Sequence, residues 1–491
     1  MKPSEAAARR AETKHEDRID PLVWKISAVV MLGPLMTTLD ATVVNVSLSA
    51  LGRELHTSLT TIQWVTSAYL LSLALMLPLS GWLVDRIGAK RVYLMCFAVF
   101  TVTSLLCGVA TSAGSLIAFR VLQGAAGGLL APMAQMMVAR VAGRHMARVM
   151  GISVMPVMIG PILGPAVAGV ILQHWGWPWI FFINLPIGLF ATTVAWRILP
   201  RDTDQTRPRK FDLVGFMLLP PALVMLLHSL DRLGSNASNP RLSLLELVAA
   251  GVLLAAFIWH GRRRGSAALI DLGLFANRTF RTCASTQFLS NCLLFGGQML
   301  MPLYLLMVGA KSPASAGLLL ASTGLGLLCI VPLLGTLTDR FVARWVASSG
   351  ALLALLATLP FALGGDLMLS PVALCVGLFV RGAGVGCINI PSMSVAYASI
   401  DKRNIAVATT AINIVQRLGG PVVTTALAIY LHYGLTQQPL NMPRAFTATF
   451  WLLCFVHLLS FLSALRLPLR ARHRDLSAPA EASVAIESLA D

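Results

Sequence analysis

Apolar runs of about 20 residues recur along the whole chain, parted by short polar segments. Each is close to the ~20 residues that a bilayer core requires of a helix. They predict fourteen spans, at 26–50, 62–84, 92–110, 114–138, 149–172, 179–198, 213–230, 243–260, 283–308, 314–337, 345–364, 370–393, 404–431 and 446–465. An even number of spans places both termini on one side of the membrane. The polar stretches 1–24 and 470–491 carry too little apolar surface to pack and are expected to be disordered.

The pattern repeats once. GTLTDRFVAR at 335–344 echoes GWLVDRIG at 81–88, 254 residues earlier. Arg381 follows Arg120 by 261 residues, and Pro421 follows Pro165 by 256. Three nearly equal offsets imply two homologous six-span halves, with an extra pair of spans at 213–260 between them. The expected class is therefore an all-α polytopic membrane protein. Its expected parts are a tail at 1–25, a half at 26–198, a linker with the extra pair at 199–282, a half at 283–466 and a tail at 467–491.

Composition agrees. The chain has 491 residues, of which 56% are hydrophobic and 12% charged. Soluble domains carry about 25% charge. A net charge of +17 would suggest nucleic acid in a soluble protein. Here location decides. Of the 38 Lys and Arg, 30 fall in the tails and loops on the side of the N-terminus, against five on the other: Arg53, Arg232, Arg241, Lys311 and Arg444. Arg120, Arg381 and Arg417 lie inside spans. That asymmetry makes both termini cytoplasmic. The basic excess then reflects orientation and anionic lipid, and no nucleic acid partner is expected. The eight Cys form no CxxC pair and read as small apolar side chains, so no metal site is expected. Residues 1–25 do not resemble a cleavable signal.

One carboxylate interrupts the first span. Asp40 has no charged neighbour between Lys25 and Arg53. Placing it near mid-bilayer costs about 2.5–3.5 kcal/mol on insertion scales, so such a group is expected to serve a proton, an ion or a substrate. Thr38, Ala41, Thr42 and Asn45 share a small, polar helical face suited to an interior seam or cavity wall. Arg120 in the fourth span lies roughly 9 Å deep, against ~15 Å for Asp40, so the two are expected partners. The alternative is that Arg120 fixes helix packing through backbone carbonyls. In the fifth span Gly160, Gly164, Ala168 and Gly169 form a nearly bare stripe bent by Pro161 and Pro165, fit for tight packing or for sliding. Trp64 suits either an interface anchor or a substrate contact. In the loop after the second span, Asp85 can accept from amides at a helix start and pair with Arg86 or an Arg from elsewhere, and Gly88 permits a tight turn.

These stretches together resemble the major facilitator superfamily. Its loop motif is met by Gly81, Leu83, Asp85, Arg86, Gly88 and Lys90, with Ala89 departing. Its second motif is met by Leu116, Arg120, Gln123 and Gly124, and its antiporter motif by Gly160, Gly164, Pro165 and Gly169, with Ala168 departing. LDATVVNVSL, IQWVTSAYLL, WIFFINLPIG, KFDLVGFMLL and LIDLGLFANRTF narrow the resemblance to the fourteen-span drug:proton antiporter family, over most of 26–465. The resemblance implies the major facilitator fold, a gate at the 81–90 loop, proton coupling at Arg120 with Asp40, and export across a bacterial inner membrane. The expected cavity residues are Thr38, Asn45, Trp64, Tyr69, Gln123, Asn291, Gln298, Asn389 and Arg417.

No Walker loop, HExxH, GxSxG or metal cluster occurs, so neither an enzyme nor ATP-driven transport is expected. What remains is a carrier that uses an ion gradient; the resemblance implies that the ion is the proton, with no cofactor. The expected activity is proton-coupled export of amphipathic or drug-like molecules by alternating access. The alternative is proton-driven export of an endogenous metabolite, organic anion or lipid-like molecule. A functional monomer is expected, and a periplasmic adaptor is left open.

A prediction follows from the count of buried charges. A dication would meet one deep carboxylate among three buried Arg. Monovalent or neutral amphipaths should therefore be transported better by purified protein than divalent cations of matched size. Faster flux of the dications in proteoliposomes would refute this.

Overall fold

The computed structural model describes residues 19–142, 145–202, 211–234, 240–309, 311–364, 370–401, 404–437 and 441–468. The two tails beyond residues 19 and 468 lie outside them, as do the side chains of Asp339 and Arg340 in the second-half loop motif. Sixteen helices appear among the described residues: α1 (Pro21–Glu54), α2 (Leu59–Met76), α3 (Leu79–Ile87), α4 (Ala89–Gly108), α5 (Ala113–Ala142), α6 (Met146–His174), α7 (Trp179–Phe182), α8 (Asn184–Ile198), α9 (Leu213–Gly234), α10 (Pro240–Arg264), α11 (Arg278–Met307), α12 (Pro313–Arg340), α13 (Ala343–Leu363), α14 (Pro371–Ala398), α15 (Ile405–Gln437) and α16 (Met442–Leu465). No strand occurs among them.

Twelve stretches are long and apolar enough to cross a membrane singly, the one at Trp179–Ile198 comprising α7 and α8 with a break at Ile183. A thirteenth span is the pair α2 and α3, bent by 56°. The bend falls at Leu77–Pro78, where proline lacks the N–H of a continuous helix. The fourteenth is α6, apolar on both sides of its Pro161. All fourteen predicted spans are thus helical.

Several helices start earlier than hydropathy predicts, because caps rather than greasiness set their ends. Asp20 accepts the Leu22 amide at 2.8 Å, with Pro21 at the first turn of α1. Asn277 accepts the amides of Thr279 and Phe280 and starts α11. Within α1, Pro34 cannot donate to the carbonyl of Val30. The buried Tyr93 hydroxyl donates to that carbonyl instead.

The two halves meet unequally. On the side that carries the termini, one buried apolar cluster runs through both, joining Val84, Ala134 and Met137 to Tyr397, Ala406 and Ile412. Across this side the Ser80 and Thr410 hydroxyls lie 2.7 Å apart, and Asn413 Nδ2 donates to Gln135 Oε1 at 2.8 Å. A Cβ on Gly151 would stand 2.9 Å from the Val331 carbonyl, and one on Gly335 would strike Arg148. On the opposite side the cores are separate. One holds Val43, Leu51, Ile62 and Phe181, and the other Leu300, Phe361, Leu427 and Phe450. The bundle is closed at the terminal side and divided at the other.

The extra pair stands at one seam between the halves. α9 packs against α2 of the first half and α15 of the second, and α10 packs on α9. At one end His228 stacks on Trp64, with ring centroids 6.5 Å apart, and Thr425 donates to the Leu230 carbonyl at 2.8 Å. At the other end Phe211 meets Trp82 at 4.8 Å. Here buried Asp212 accepts from the amides of Gly215 (3.1 Å) and Leu269 (2.9 Å), and lies 2.9 Å from His260 Nε2 and 3.2 Å from Arg264 Nη1. Leu244, Leu245, Val248 and Val252 of α10 are left uncovered by protein, as a lipid-facing helix requires.

Burial alone would raise the proton affinity of Asp212. The hydrogen bonds from His260, Gly215 and Leu269 outweigh it and hold the carboxyl below its ordinary range. A depressed acid stabilises the fold above its unfolded pKa and loses that contribution as pH falls through the folded one. Asp212→Asn should therefore lower the unfolding midpoint at pH 7, by an amount equivalent to about 1–3 kcal/mol. The gap between variant and wild type should close on acidification below about pH 4. A gap that is constant with pH in detergent-solubilised protein would contradict this account.

Candidate functional site

The site is built around a charge that no water reaches. Asp40 and Arg120 are both 0% exposed, with Arg120 Nη1 donating to Asp40 Oδ2 at 2.6 Å. Three helices besides α1 and α5 close over the pair. Asn184 Nδ2 donates to Asp40 Oδ1 at 2.8 Å, and Gln123 Nε2 lies 3.3 Å from the same oxygen. Both amides also reach the Ser104 hydroxyl, each at 3.0 Å. Arg120 donates to Gln123 Oε1 at 2.7 Å and to the Val65 carbonyl at 3.2 Å, and its guanidinium lies 4.0 Å from the Tyr69 ring centroid.

Local sequence sets this geometry. Arg120 and Gln123 are three residues apart and share a face of α5. Asn184 is the first residue of α8, just past the break at Ile183, which carries its amide inward. Ser104 donates to the Phe181 carbonyl beside the same break. Three buried polar atoms in the cluster have no hydrogen-bond partner: Arg120 Nη2, Tyr69 Oη and Asn184 Oδ1. Removing one member of such a buried pair costs about 3–5 kcal/mol, because the other charge is left uncompensated.

The far side of α1 meets the glycine stripe. The Thr42 hydroxyl lies 3.3 Å from the Gly160 carbonyl, and a Cβ on Gly160 would stand 3.2 Å from the Leu39 amide nitrogen. A Cβ on Gly164 would strike the Thr42 hydroxyl and stand 2.7 Å from its Cβ. Gly169 has open space around it, and Pro165 is exposed. α1 thus carries Asp40 on one face and meets the glycine stripe of α6 with another.

The predicted cavity residues separate into groups. Gln123 and Tyr69 do not line open space in this conformation; they are enclosed around Asp40 and Arg120. Thr38 is partly buried and donates to the Pro34 carbonyl at 2.7 Å, and Asn45 is exposed. Trp64 is 45% exposed and faces the extra helix α9. Asn291 donates to the Gln416 carbonyl, fastening α11 to α15. Gln298 is exposed, whereas Asn389 is partly buried and offers its carbonyl to Gln287 Nε2 at 2.7 Å. Arg417 is partly buried.

At the loop motif the helix-start role expected of Asp85 is corrected, whereas an Arg from elsewhere does lie near it. The amides that start α4 are accepted by Asp202, not Asp85: those of Lys90 and Arg91 lie 2.9 and 3.1 Å from its two oxygens. Asp85 is within electrostatic reach of Arg140 instead, and Arg86 lies over the Trp82 ring at 5.5 Å. Lys90 Nζ donates to the Leu199 carbonyl at 2.6 Å. Gly88 has φ +99°, and a Cβ there would strike the Asp202 carboxylate. Gly81 lets α3 approach α15, since its Cβ position lies 3.5 Å from the Ala406 carbonyl. Asp202, Ser104 and Asn184 were not singled out from sequence. The signal for Asn184 was an amide within the apolar stretch WIFFINLPIG; Asp202 had none, being 112 residues from Lys90.

Comparison with known proteins bears on the family and the fold. The family model described as Major Facilitator Superfamily matches residues 30–424 and 288–489. A multidrug resistance protein B homolog of Mycobacterium tuberculosis (strain ATCC 25618 / H37Rv) is 32% identical over 429 residues, covering 87% of this chain and 79% of that one. The proton:xylose symporter XylE superposes with a TM-score of 0.61 at 13% identity, over 92% of this chain and 97% of that one. The human organic anion transporter MFSD10 gives 0.59 at 16%, over 91% and 100%. At such identities the two structures speak for the fold alone.

The α1–α6 contact makes a prediction. Gly164→Ala must push Thr42 aside, so it should lower transport at least tenfold or prevent stable insertion. Thr42→Ala in the same chain removes the struck hydroxyl and should recover part of the loss. Wild-type flux in Gly164→Ala, with or without the second change, would show that the close approach is dispensable.

Proposed function

The chain belongs to the major facilitator superfamily, and we propose that it is a proton-driven antiporter exporting amphipathic, drug-like molecules from the cytoplasm. It is a multi-pass membrane transporter and not an enzyme. The export reading draws support from the multidrug resistance relative and from the antiporter stripe. The single observation that carries proton coupling is the sealed Asp40–Arg120 pair.

The terminal side is the cytoplasmic one, because 30 of the 38 basic residues lie there and cytoplasmic loops of membrane proteins are enriched in Lys and Arg. The bundle closed on that side is then the outward-facing state, in the inner membrane of a bacterium. The transporter works as a monomer, driven by the proton gradient without a cofactor.

Coupling follows from what the pair joins. Asp40 is on α1 and Arg120 on α5, and both interlock with α4 and α8 through Ser104 and Asn184. A proton on Asp40 removes the charge that holds Arg120. The guanidinium keeps Gln123 Oε1, the Val65 carbonyl and the Tyr69 ring. α1 is then released to shift along the bare surface at Gly160 and Gly164. The halves rock, the gate around Gly81, Asp85 and Gly88 parts, and the cavity meets the cytoplasm. Loss of the proton there restores the pair. Each elementary charge that crosses contributes about 2.3 kcal/mol per 100 mV.

Asp40→Asn is expected to abolish pH-driven substrate uptake into inside-out vesicles. It also leaves Arg120 buried without a counter-charge, so the variant should be destabilised. The double variant Asp40→Asn/Arg120→Gln should regain the thermal midpoint and still lack pH-driven uptake. Wild-type coupling in either variant would remove Asp40 from the mechanism.

A further inference from the structure

One helix of the second half presents a polar stripe to the first. Thr410, Asn413 and Arg417 recur at helical spacing along α15. The first two are closed onto the first half, Thr410 against Ser80 and Asn413 against Gln135. Arg417 is one turn further from the terminal side, where the cores of the halves have parted. Its guanidinium is partly exposed and, among the described residues, has no hydrogen-bond or ion-pair partner. Across the gap it lies within electrostatic reach of Tyr69.

The other face of this segment is fixed. Asn291 donates to the Gln416 carbonyl. A Cβ on Gly419 would stand 3.2 Å from the Asn291 Cβ, and one on Gly420 would stand 2.9 Å from the Phe295 ring. Arg417 is therefore carried on a rigid stretch at the floor of the divided region.

The charge balance there is one-sided. Asp40 is the only carboxylate in the middle of the two halves among the described residues, and Arg120 neutralises it out of reach of solvent. Arg381 is 3% exposed and turned into its own half, donating to the Leu293 carbonyl at 2.7 Å. A molecule entering between the halves meets an uncompensated cation and no accessible anion. We propose that Arg417 is a specificity-determining residue that binds an acidic group on the substrate, so that the preferred cargo is an amphipath bearing one carboxylate or comparable anionic group. This rests on the export reading and narrows it. A guanidinium suits such a ligand because it is always charged and pairs with a carboxylate through two parallel N–H donors. Exchange of a monoanion outward for a proton inward would also move two elementary charges, whereas a monocation would exchange electroneutrally.

The test uses three probes of one shape: 1-pyrenebutyrate, its methyl ester and 4-(1-pyrenyl)butylammonium. Binding to the purified full-length protein is measured by fluorescence without any gradient. The carboxylate should bind at least tenfold more tightly than the ammonium. Arg417→Gln should bring the two within threefold, and Arg417→Lys should retain a preference for the carboxylate. Equal or tighter binding of the ammonium by wild type overturns the inference, as does an undiminished preference in Arg417→Gln with an unchanged melting midpoint. Failure of export is seen separately: binding with the expected preference, but no pH-driven flux of any probe in proteoliposomes, would count against proton-coupled transport and not against the anion site.

Discussion

The architecture depends on keeping one ion pair dry. Asp40 and Arg120 touch at 2.6 Å with no exposure, in a protein whose exterior is already a poor solvent for charge. Such a pair is stable only if each remaining donor and acceptor finds company. That demand reaches into α4 through Ser104, α8 through Asn184 and α2 through the Val65 carbonyl. It accounts for the interruption at Ile183, which brings an amide to the right depth. The accounting is incomplete, since Arg120 Nη2 and Asn184 Oδ1 lack partners. A cluster with spare donors and acceptors has more than one satisfactory arrangement, as a switch requires.

The second half solves the same steric problem without an acid. Gly297 stands 257 residues after Asp40, close to the repeat offset, and the Arg381 guanidinium occupies the space that a Cβ on Gly297 would need. Arg381 then falls back on the Leu293 carbonyl and leaves its Nε without a partner. The two halves thus differ at the position of the deep carboxylate. The first carries a neutralised pair, the second a bare cation, and the field between them is positive.

Much of the fold was legible because span length and charge asymmetry are coarse signals that survive local error. Fourteen apolar runs became fourteen helical spans, and the caps at Asp20 and Asn277 moved only their ends. The Asp40–Arg120 contact was also legible, since two opposite charges in lipid have few alternatives. The surroundings were not. Gln123 and Tyr69 have the composition of a cavity wall, yet sequence carries no sign of which way a helix face turns once the partner helix is unknown. Asp202 could not be assigned to the α4 start, because a cap supplied from 112 residues away leaves no local pattern. Asp85 had the local pattern and a different neighbour.

The extra helices impose a constraint that the pseudo-symmetry alone would not suggest. α9 and Phe211 just before it are tied to the first half through Trp64 and Trp82, and α9 to the second through Thr425. At that seam the halves touch through a third body. The other seam, between α6 and α12, has no such cover among the described residues. It is tight at Gly151 and Gly335 near the terminal side, and bare at Gly169, Gly317 and Gly324 toward the opposite one. Relative motion of the halves must therefore be accommodated differently at the two seams. At the uncovered seam two glycine-bearing helices can part directly. At the covered seam α9 must either travel with one half or break its contacts with one of them. The tie to the first half includes the Trp64–His228 stack, whereas the tie to the second half joins helix packing on α15 to the Thr425 hydroxyl hydrogen bond, itself typically worth only about 1 kcal/mol. α9 is thus held by both halves, and opening the covered seam must break its packing on α2 or on α15.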